Sequence, residues 1–162
     1  MTTNKNAGEI VKQQLIEFLT KASAHVTFED AVKNMSIENA GAKPENLPYS
    51  IWQLVEHIRI AQWDILEFSR NPNHISPKWP DEYWPKEASV SDKTAWERSL
   101  QQIEKDKEAF IQLLNDPSSD LYTPFPHGDG QNLLREALLI ADHTSYHTGE
   151  ILAIRRLLND WG

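Results

Sequence analysis

Apolar residues recur every three or four positions in four long segments of the chain, which is the spacing of one face of an α-helix. The first segment covers residues 8–22, and its predicted inward side carries Ile10, Leu15, Phe18 and Leu19. A helix with this pattern buries its apolar stripe and exposes its polar face. A shorter run, residues 28–35, predicts one or two helical turns, and the Gly- and Pro-containing stretch after it predicts a loop.

The second long segment has clear start and stop signals. Ser50 can cap the helix, and Gln53, three positions later, can reach back to the cap, which together form a capping box. The helix is predicted to run through about Ser69, because Asn-Pro-Asn at 71–73 ends it. One stripe of this helix holds five residues, of which only one is polar: Leu54, His57, Ala61, Ile65 and Phe68.

The third and last long segments follow the same period. The third starts near Ser91 or Asp92 and ends near Asn115, with an apolar stripe of Trp96, Leu100, Ile103, Phe110 and Leu114. The last begins at Asn132, a plausible N-cap, and continues to about Asp160. No segment alternates convincingly with a period of two. The pattern therefore predicts an all-α fold, a four-helix bundle that forms a single domain over residues 1–162.

The connection between the second and third long helices, residues 71–90, is called the Trp-rich loop below. It contains four prolines, which exclude a regular helix, and three large aromatic residues, Trp79, Tyr83 and Trp84. Aromatic side chains of this size should not all lie in water, so we expect the loop to pack on the bundle. It is either a tied-down connection or the wall or lid of a pocket.

Composition and charge narrow the functional classes. The net charge is −8, and the chain has no basic run beyond the Arg155-Arg156 pair, so no nucleic-acid partner is expected. No apolar run approaches the roughly 20 residues of a membrane span, and the first residues lack the apolar core of a signal peptide. The absence of cysteine excludes disulfides, a thiol nucleophile and thiolate metal ligands, and suits a cytoplasmic location.

Three of the six histidines fall on predicted inward faces. His143 and His147 stand four apart on a stripe with Ile140, Ile154 and Leu158, so both rings lie on one side of the last helix. His57 occupies the inward stripe of the second long helix. Three buried imidazoles are costly unless their nitrogens find partners, and a shared divalent metal ion would satisfy them together. Three nitrogen ligands with open positions are typical of a catalytic rather than a structural site. Hydrogen-bonded core histidines remain the alternative.

The other polar candidates are less specific. His25 is predicted at the end of the first helix and partly exposed, His74 lies in the Trp-rich loop, and His127 is interpreted as bracing its turn rather than leaning over the site. Glu150 lies near the histidine stripe, and it could bind the metal, orient an imidazole or pair with an arginine. Asp142 and Tyr146 point away from the stripe and are interpreted as structural or surface groups. Gly149 is interpreted as allowing close approach by a helix or a ligand.

Several stretches resemble the DinB-like superfamily: WQLVEHIRIAQWDI at 52–65, KWPDEYWP at 78–85, PHGDGQNLLREAL at 126–138 and ADHTSYHTGEILAIRR at 141–156. The resemblance implies an up-down-down-up four-helix bundle, often a homodimer. It also implies a divalent metal, typically nickel or zinc, on three histidines, which here are His57, His143 and His147. The superfamily name does not imply contact with DNA.

The resemblance leaves the reaction open. The superfamily includes transferases that use a low-molecular-weight thiol, an isomerase that uses such a thiol, and many members without an assigned activity. A metal-dependent thiol S-transferase acting on a small molecule is therefore the leading hypothesis, and any thiol must be a small molecule because the chain has no cysteine. A metal-dependent hydrolase and a non-catalytic metal-binding or interaction protein are the alternatives. The sequence does not identify the catalytic acid or base.

Overall fold

The computed structural model describes residues 2–22 and 24–161, with residues 2–6 described by their backbone alone. Within these ranges the chain forms six helices and no strand. They are α1 (Thr2–Thr20), α2 (Phe28–Val32), α3 (Ile37–Gly41), α4 (Ile51–Arg70), α5 (Lys93–Asn115) and α6 (Leu133–Leu157), with a 3₁₀ turn at Asp81–Tyr83 between α4 and α5.

The predicted N-terminal signals of the long helices are confirmed. The Ser50 hydroxyl accepts a hydrogen bond from the Gln53 amide, and the Gln53 side chain accepts one from the Ser50 amide, which completes the capping box of α4. Asp92 caps α5 by accepting from the Ala95 amide, and Asn132 caps α6 in the same way. These side chains satisfy amides that have no partner inside the helix, so the sequence itself sets where each helix begins.

The four long helices pack together around two apolar clusters. α4 packs against both α5 and α6, and α1 packs against the other side of the same two helices. Buried residues of α4, including Leu54 and Ile58, meet Ile151 and Ile154 of α6, while Phe110 and Leu114 of α5 lie in a second apolar cluster. The all-α bundle is therefore confirmed, and the up-down-down-up order stays a prediction. Among the described residues, no helix combines the length and apolar character needed to cross a membrane.

The elements outside α4 and α5 differ in detail from the sequence-based prediction. In α1 Leu15 is buried, but Ile10 is 56% and Phe18 66% exposed, so the predicted inward side was too wide. α1 packs at the edge of the bundle and buries a narrower strip than a central helix does. The sequence did not predict α3, because Ala40 and Gly41, its last two residues, belong to the Gly- and Pro-containing stretch that was interpreted as a loop. α6 ends at Leu157, three residues before the predicted end.

The Trp-rich loop packs on α4, as expected. Tyr83 is buried and Trp84 half-buried, whereas Trp79 is 70% exposed. The loop is also fastened near its end. The Ser50 hydroxyl donates to the Ala88 carbonyl, and the side-chain amide of Gln53 donates to the Pro85 carbonyl. The loop therefore lies on the part of α4 that carries His57.

Candidate metal centre

The structure brings His57 of α4 together with His143 and His147 of α6. The ring centres of the three imidazoles are 4.5 to 4.8 Å apart in every pair. One nitrogen from each residue can be chosen so that all three atoms lie within 4.8 Å of one another. His57 and His147 are buried and His143 is half-buried. These three residues are called the histidine triad below.

The tautomer of His57 is set by the Trp-rich loop. Its Nδ1 lies 2.9 Å from the main-chain carbonyl oxygen of Tyr83, which can only accept a hydrogen bond. Nδ1 therefore carries the proton, and Nε2 of the neutral ring presents a lone pair. Trp84 stacks on the same imidazole with ring centres 3.9 Å apart and planes 8° from parallel, which holds the ring in place.

Glu150 holds His147 in the same way. Nδ1 of His147 lies 2.6 Å from the Glu150 carboxylate, so this nitrogen donates and Nε2 is again the free one. The second carboxylate oxygen of Glu150 accepts from the Tyr49 hydroxyl. Burial and then the Glu150 carboxylate raise the pKa of Tyr49, which keeps its hydroxyl a donor. Glu150 is outside the group of residues that could share an ion, and its position favours the orienting role over metal ligation.

His143 completes the triad and faces His57 directly. The two Nε2 atoms are 3.0 Å apart. Burial, with the neighbouring His147 and His57, lowers the pKa of His143 to about 3. Burial and the nearby His147 also lower the pKa of His57, against the opposing effect of its bond to Tyr83. Both rings are therefore neutral near pH 7, which is the form that binds metals.

The donor set fits a divalent cation. Nδ1 of His57 and Nδ1 of His147 both donate, so in the neutral form of either ring Nε2 presents a lone pair. A neutral His143 can place either a proton or a lone pair against His57 at 3.0 Å. Two lone pairs at that distance repel unless a cation lies between them, and three neutral imidazoles leave coordination positions for other ligands. The arrangement therefore suits either one shared proton or one metal ion.

Two exposed aromatic rings flank the triad. Trp79 is 70% exposed and its ring centre lies 6.2 Å from that of His57. Tyr146 is 64% exposed and packs edge-on against His147 at 4.9 Å. Tyr146 was interpreted as a structural or surface group, and it is a surface residue, although it contacts a triad ring. Asp142 is exposed and lies outside the triad.

The other three histidines lie outside the triad. His127 bonds the Phe68 carbonyl through Nε2 at 2.8 Å, so the bracing interpretation is confirmed. His74 bonds Asp64 at 2.7 Å, and His25, beyond the end of α1 rather than on it, lies 3.0 Å from the Ser145 hydroxyl. No helix approaches Gly149 closely, since a side chain there would meet no atom of the described residues within 4 Å, and approach by a ligand stays a prediction.

Sequence reasoning named Glu150 as a possible orienting group but missed the other partners that orient the triad. The Tyr83 carbonyl is a main-chain group, which no residue pattern reveals, and Tyr49 lies 101 positions before Glu150. Trp84 carried a weak signal, because the loop containing it was one candidate for a pocket wall. It stacks on His57, and the role of the loop as a pocket wall stays a prediction.

Comparison with known proteins gives the family. A family model described as the DinB superfamily matches residues 22–151, which is most of the chain and includes the whole histidine triad. Searches of curated proteins and of solved structures gave no significant match. The resemblance inferred from the sequence motifs is thus confirmed, and this chain belongs to the DinB superfamily.

Proposed function

We propose that the histidine triad binds one divalent metal ion and that the protein is a metal-dependent enzyme acting on a small molecule. The observation that carries the proposal is that Nδ1 of two triad histidines already forms a hydrogen bond outside the triad. The Tyr83 carbonyl and the Glu150 carboxylate accept from Nδ1 of His57 and His147, which leaves Nε2 of each ring available to a shared ion within the triad. Buried histidines that only fill space have no need of this common orientation.

The proposed reaction is S-transfer from a low-molecular-weight thiol to an electrophile. A divalent ion bound at the triad would favour the thiolate form of such a thiol at neutral pH. The sulfur forms a bond to the electrophilic carbon, the leaving group departs with its bonding electrons, and the thiol proton passes to solvent. The family supports this class, and a chain without cysteine requires the thiol to come from outside.

The residues around the triad have separate tasks in this proposal. Tyr83 and Glu150 orient the ligand rings, and Trp84 covers one face of His57, which excludes water from that side. Trp79 and Tyr146 offer exposed ring surfaces beside the triad, which suits a substrate with an apolar or aromatic part. Nickel or zinc is the expected metal, since imidazole suits both.

The test is an activity assay on metal-free and reconstituted protein purified without a histidine tag. A small thiol and an aryl halide are mixed with protein loaded with Ni²⁺ or Zn²⁺, and the thioether is measured by mass spectrometry. We expect product only with metal, no product with His57→Ala, and wild-type rates with His25→Ala as the control. Ester cleavage without thioether would instead favour the hydrolase.

Two results would contradict the proposal. If no preparation binds nickel or zinc, the triad residues are core histidines. If metal binds stoichiometrically but changes no reaction in either assay, the protein is a non-catalytic metal binder. A homodimer, a cytoplasmic location and the absence of nucleic-acid and membrane partners remain part of the proposal, and gel filtration with light scattering measures the first.

A further inference from the structure

Asp64 of α4 forms a buried polar network beside the histidine triad. It lies seven residues, or about two helical turns, after His57 on the same side of the helix. One carboxylate oxygen accepts from the Tyr83 hydroxyl at 2.5 Å, and the other lies 2.7 Å from Nε2 of His74. Both donors belong to the Trp-rich loop, so one carboxylate fastens that loop at two points.

Tyr83 connects this carboxylate to the triad. Its hydroxyl donates to Asp64, while its main-chain carbonyl accepts the Nδ1 proton of His57. Burial and the Asp64 carboxylate raise the pKa of Tyr83, so the hydroxyl remains protonated and remains a donor. Asp64 thus fixes the side chain of Tyr83, and the main-chain carbonyl of the same residue accepts from Nδ1 of His57.

A buried carboxylate is a costly way to fasten a loop. Removing its charge from water costs several kcal/mol unless hydrogen bonds compensate. The position is also unfavourable electrostatically, because the Asp64 charge adds to burial in raising the pKa of Glu136, a buried carboxyl group on α6. An apolar residue at position 64 would pack the loop on α4 equally well. We therefore assign the hydrogen bonds of Asp64 to the orientation of Tyr83 and His74.

We propose that Asp64 is a positioning residue for the triad: by holding the Tyr83 hydroxyl it keeps the Tyr83 carbonyl on Nδ1 of His57 and leaves Nε2 free for a cation. The cation is that of the proposed function, on which this inference rests. The tautomer of His57, however, is a property of the metal-free protein and can be measured without any metal.

The first experiment measures that tautomer by long-range ¹H–¹⁵N NMR on metal-free protein labelled with ¹⁵N-histidine. The His57 signal is assigned by its disappearance in His57→Ala. We expect the Nδ1-protonated form in the wild type and a larger Nε2-protonated fraction in Tyr83→Phe and Asp64→Asn. Tyr83→Phe removes only the hydroxyl, so it tests the idea even if Asp64→Asn fails to fold.

The second experiment measures Ni²⁺ and Zn²⁺ affinity of the same variants by competition with a chelator. Loss of an outer hydrogen bond to a ligand histidine typically weakens metal binding about 10- to 100-fold, and we expect an effect in this range. The matched control is Gln53→Ala, which removes another bond from α4 to the same loop, at Pro85, and also the capping-box bond to the Ser50 amide, but has no link to Nδ1 of His57.

The outcomes separate the two proposals. Wild-type tautomer and affinity in both Tyr83→Phe and Asp64→Asn would overturn the positioning role, as would an equal tautomer shift in Gln53→Ala, which would indicate general loosening of the loop. A tautomer shift confined to Tyr83→Phe and Asp64→Asn, in a protein that binds no metal, would support positioning and refute the metal-dependent function.

Discussion

Five of the six histidines of this protein fall into two groups with opposite surroundings. In the triad, His57, His143 and His147 come from two facing helices and turn toward one another. His25 and His127 come from loops and are exposed. His127 bonds the Phe68 carbonyl of α4, and His25 bonds Ser145 of α6 and the carbonyl of its own neighbour Val26. Every one of these side chains makes a hydrogen bond, so hydrogen bonding alone does not distinguish a candidate ligand from a brace.

The triad differs from His127 in which ring nitrogen forms the outer hydrogen bond. In His127 it is Nε2 that bonds a main-chain carbonyl, so the ring fastens the turn to the end of α4. In His57 and His147 it is Nδ1 that is held, by groups behind the ring, and Nε2 projects into a space shared with other imidazoles. A histidine whose Nδ1 is fixed by a hydrogen bond is oriented to bind a metal ion through Nε2.

The largest expected effect is on metal content. Alanine substitution of any triad histidine should reduce bound nickel or zinc from about one ion per chain to near zero, because two imidazoles remain where three are needed. His25→Ala and His127→Ala should keep the full amount. Metal is measured by mass spectrometry on dialysed protein, with circular dichroism to show that helix content is unchanged.

The metal contents of these variants can contradict the division between triad and bracing histidines in two ways. Full metal retention in His57→Ala would remove His57 from the proposed ligand set. Loss of metal in His127→Ala would show that the brace contributes to the site after all.

A smaller effect is expected at Glu150, which orients a ligand without being one. Glu150→Gln keeps the shape of the side chain but weakens the bond to Nδ1 of His147, so affinity for zinc should fall about 10- to 100-fold while stoichiometry stays the same. Glu97→Gln, at an exposed position on α5, is the matched control. Complete loss of the ion would instead make Glu150 a ligand.

The fold was largely predictable because the signals are local. Ser50, Asp92 and Asn132 cap the helices that follow them, and the stripes of α4 and α5 are the buried ones. The exposure of Ile10 and Phe18 was not predictable, because a peripheral helix shows the same periodicity as a central one. How much of its apolar side is covered depends on its neighbours.

The candidate site was predictable only for the groups that lie on helices. His57, His143 and His147 interrupt apolar stripes, and this periodic signal places them inside the bundle. The groups that orient them follow no such period: a carbonyl of Tyr83, the hydroxyl of Tyr49 and the carboxylate of Asp64 meet only through tertiary contacts. A single sequence carries no record of those contacts.

The smallest expected effect is the pH dependence of stability in the metal-free protein. The pKa of His143 is lowered to about 3, while that of an unfolded histidine is about 6.5. Between these values the unfolded chain binds a proton that the native protein does not, so the free energy of unfolding rises with pH. This contribution is fully present above about pH 6.5 and is lost as the pH falls below it. The lowered pKa of His57 acts in the same direction.

His143→Gln isolates this term from the carboxylates that also titrate in acid. Urea unfolding of metal-free wild type should show a steeper loss of stability between about pH 7 and pH 5 than unfolding of the variant, because glutamine has no proton to bind. Parallel slopes would mean that His143 is protonated as easily in the native protein as in the unfolded chain. His143 would then be as accessible to solvent as the exposed histidines, and burial would no longer distinguish it from them.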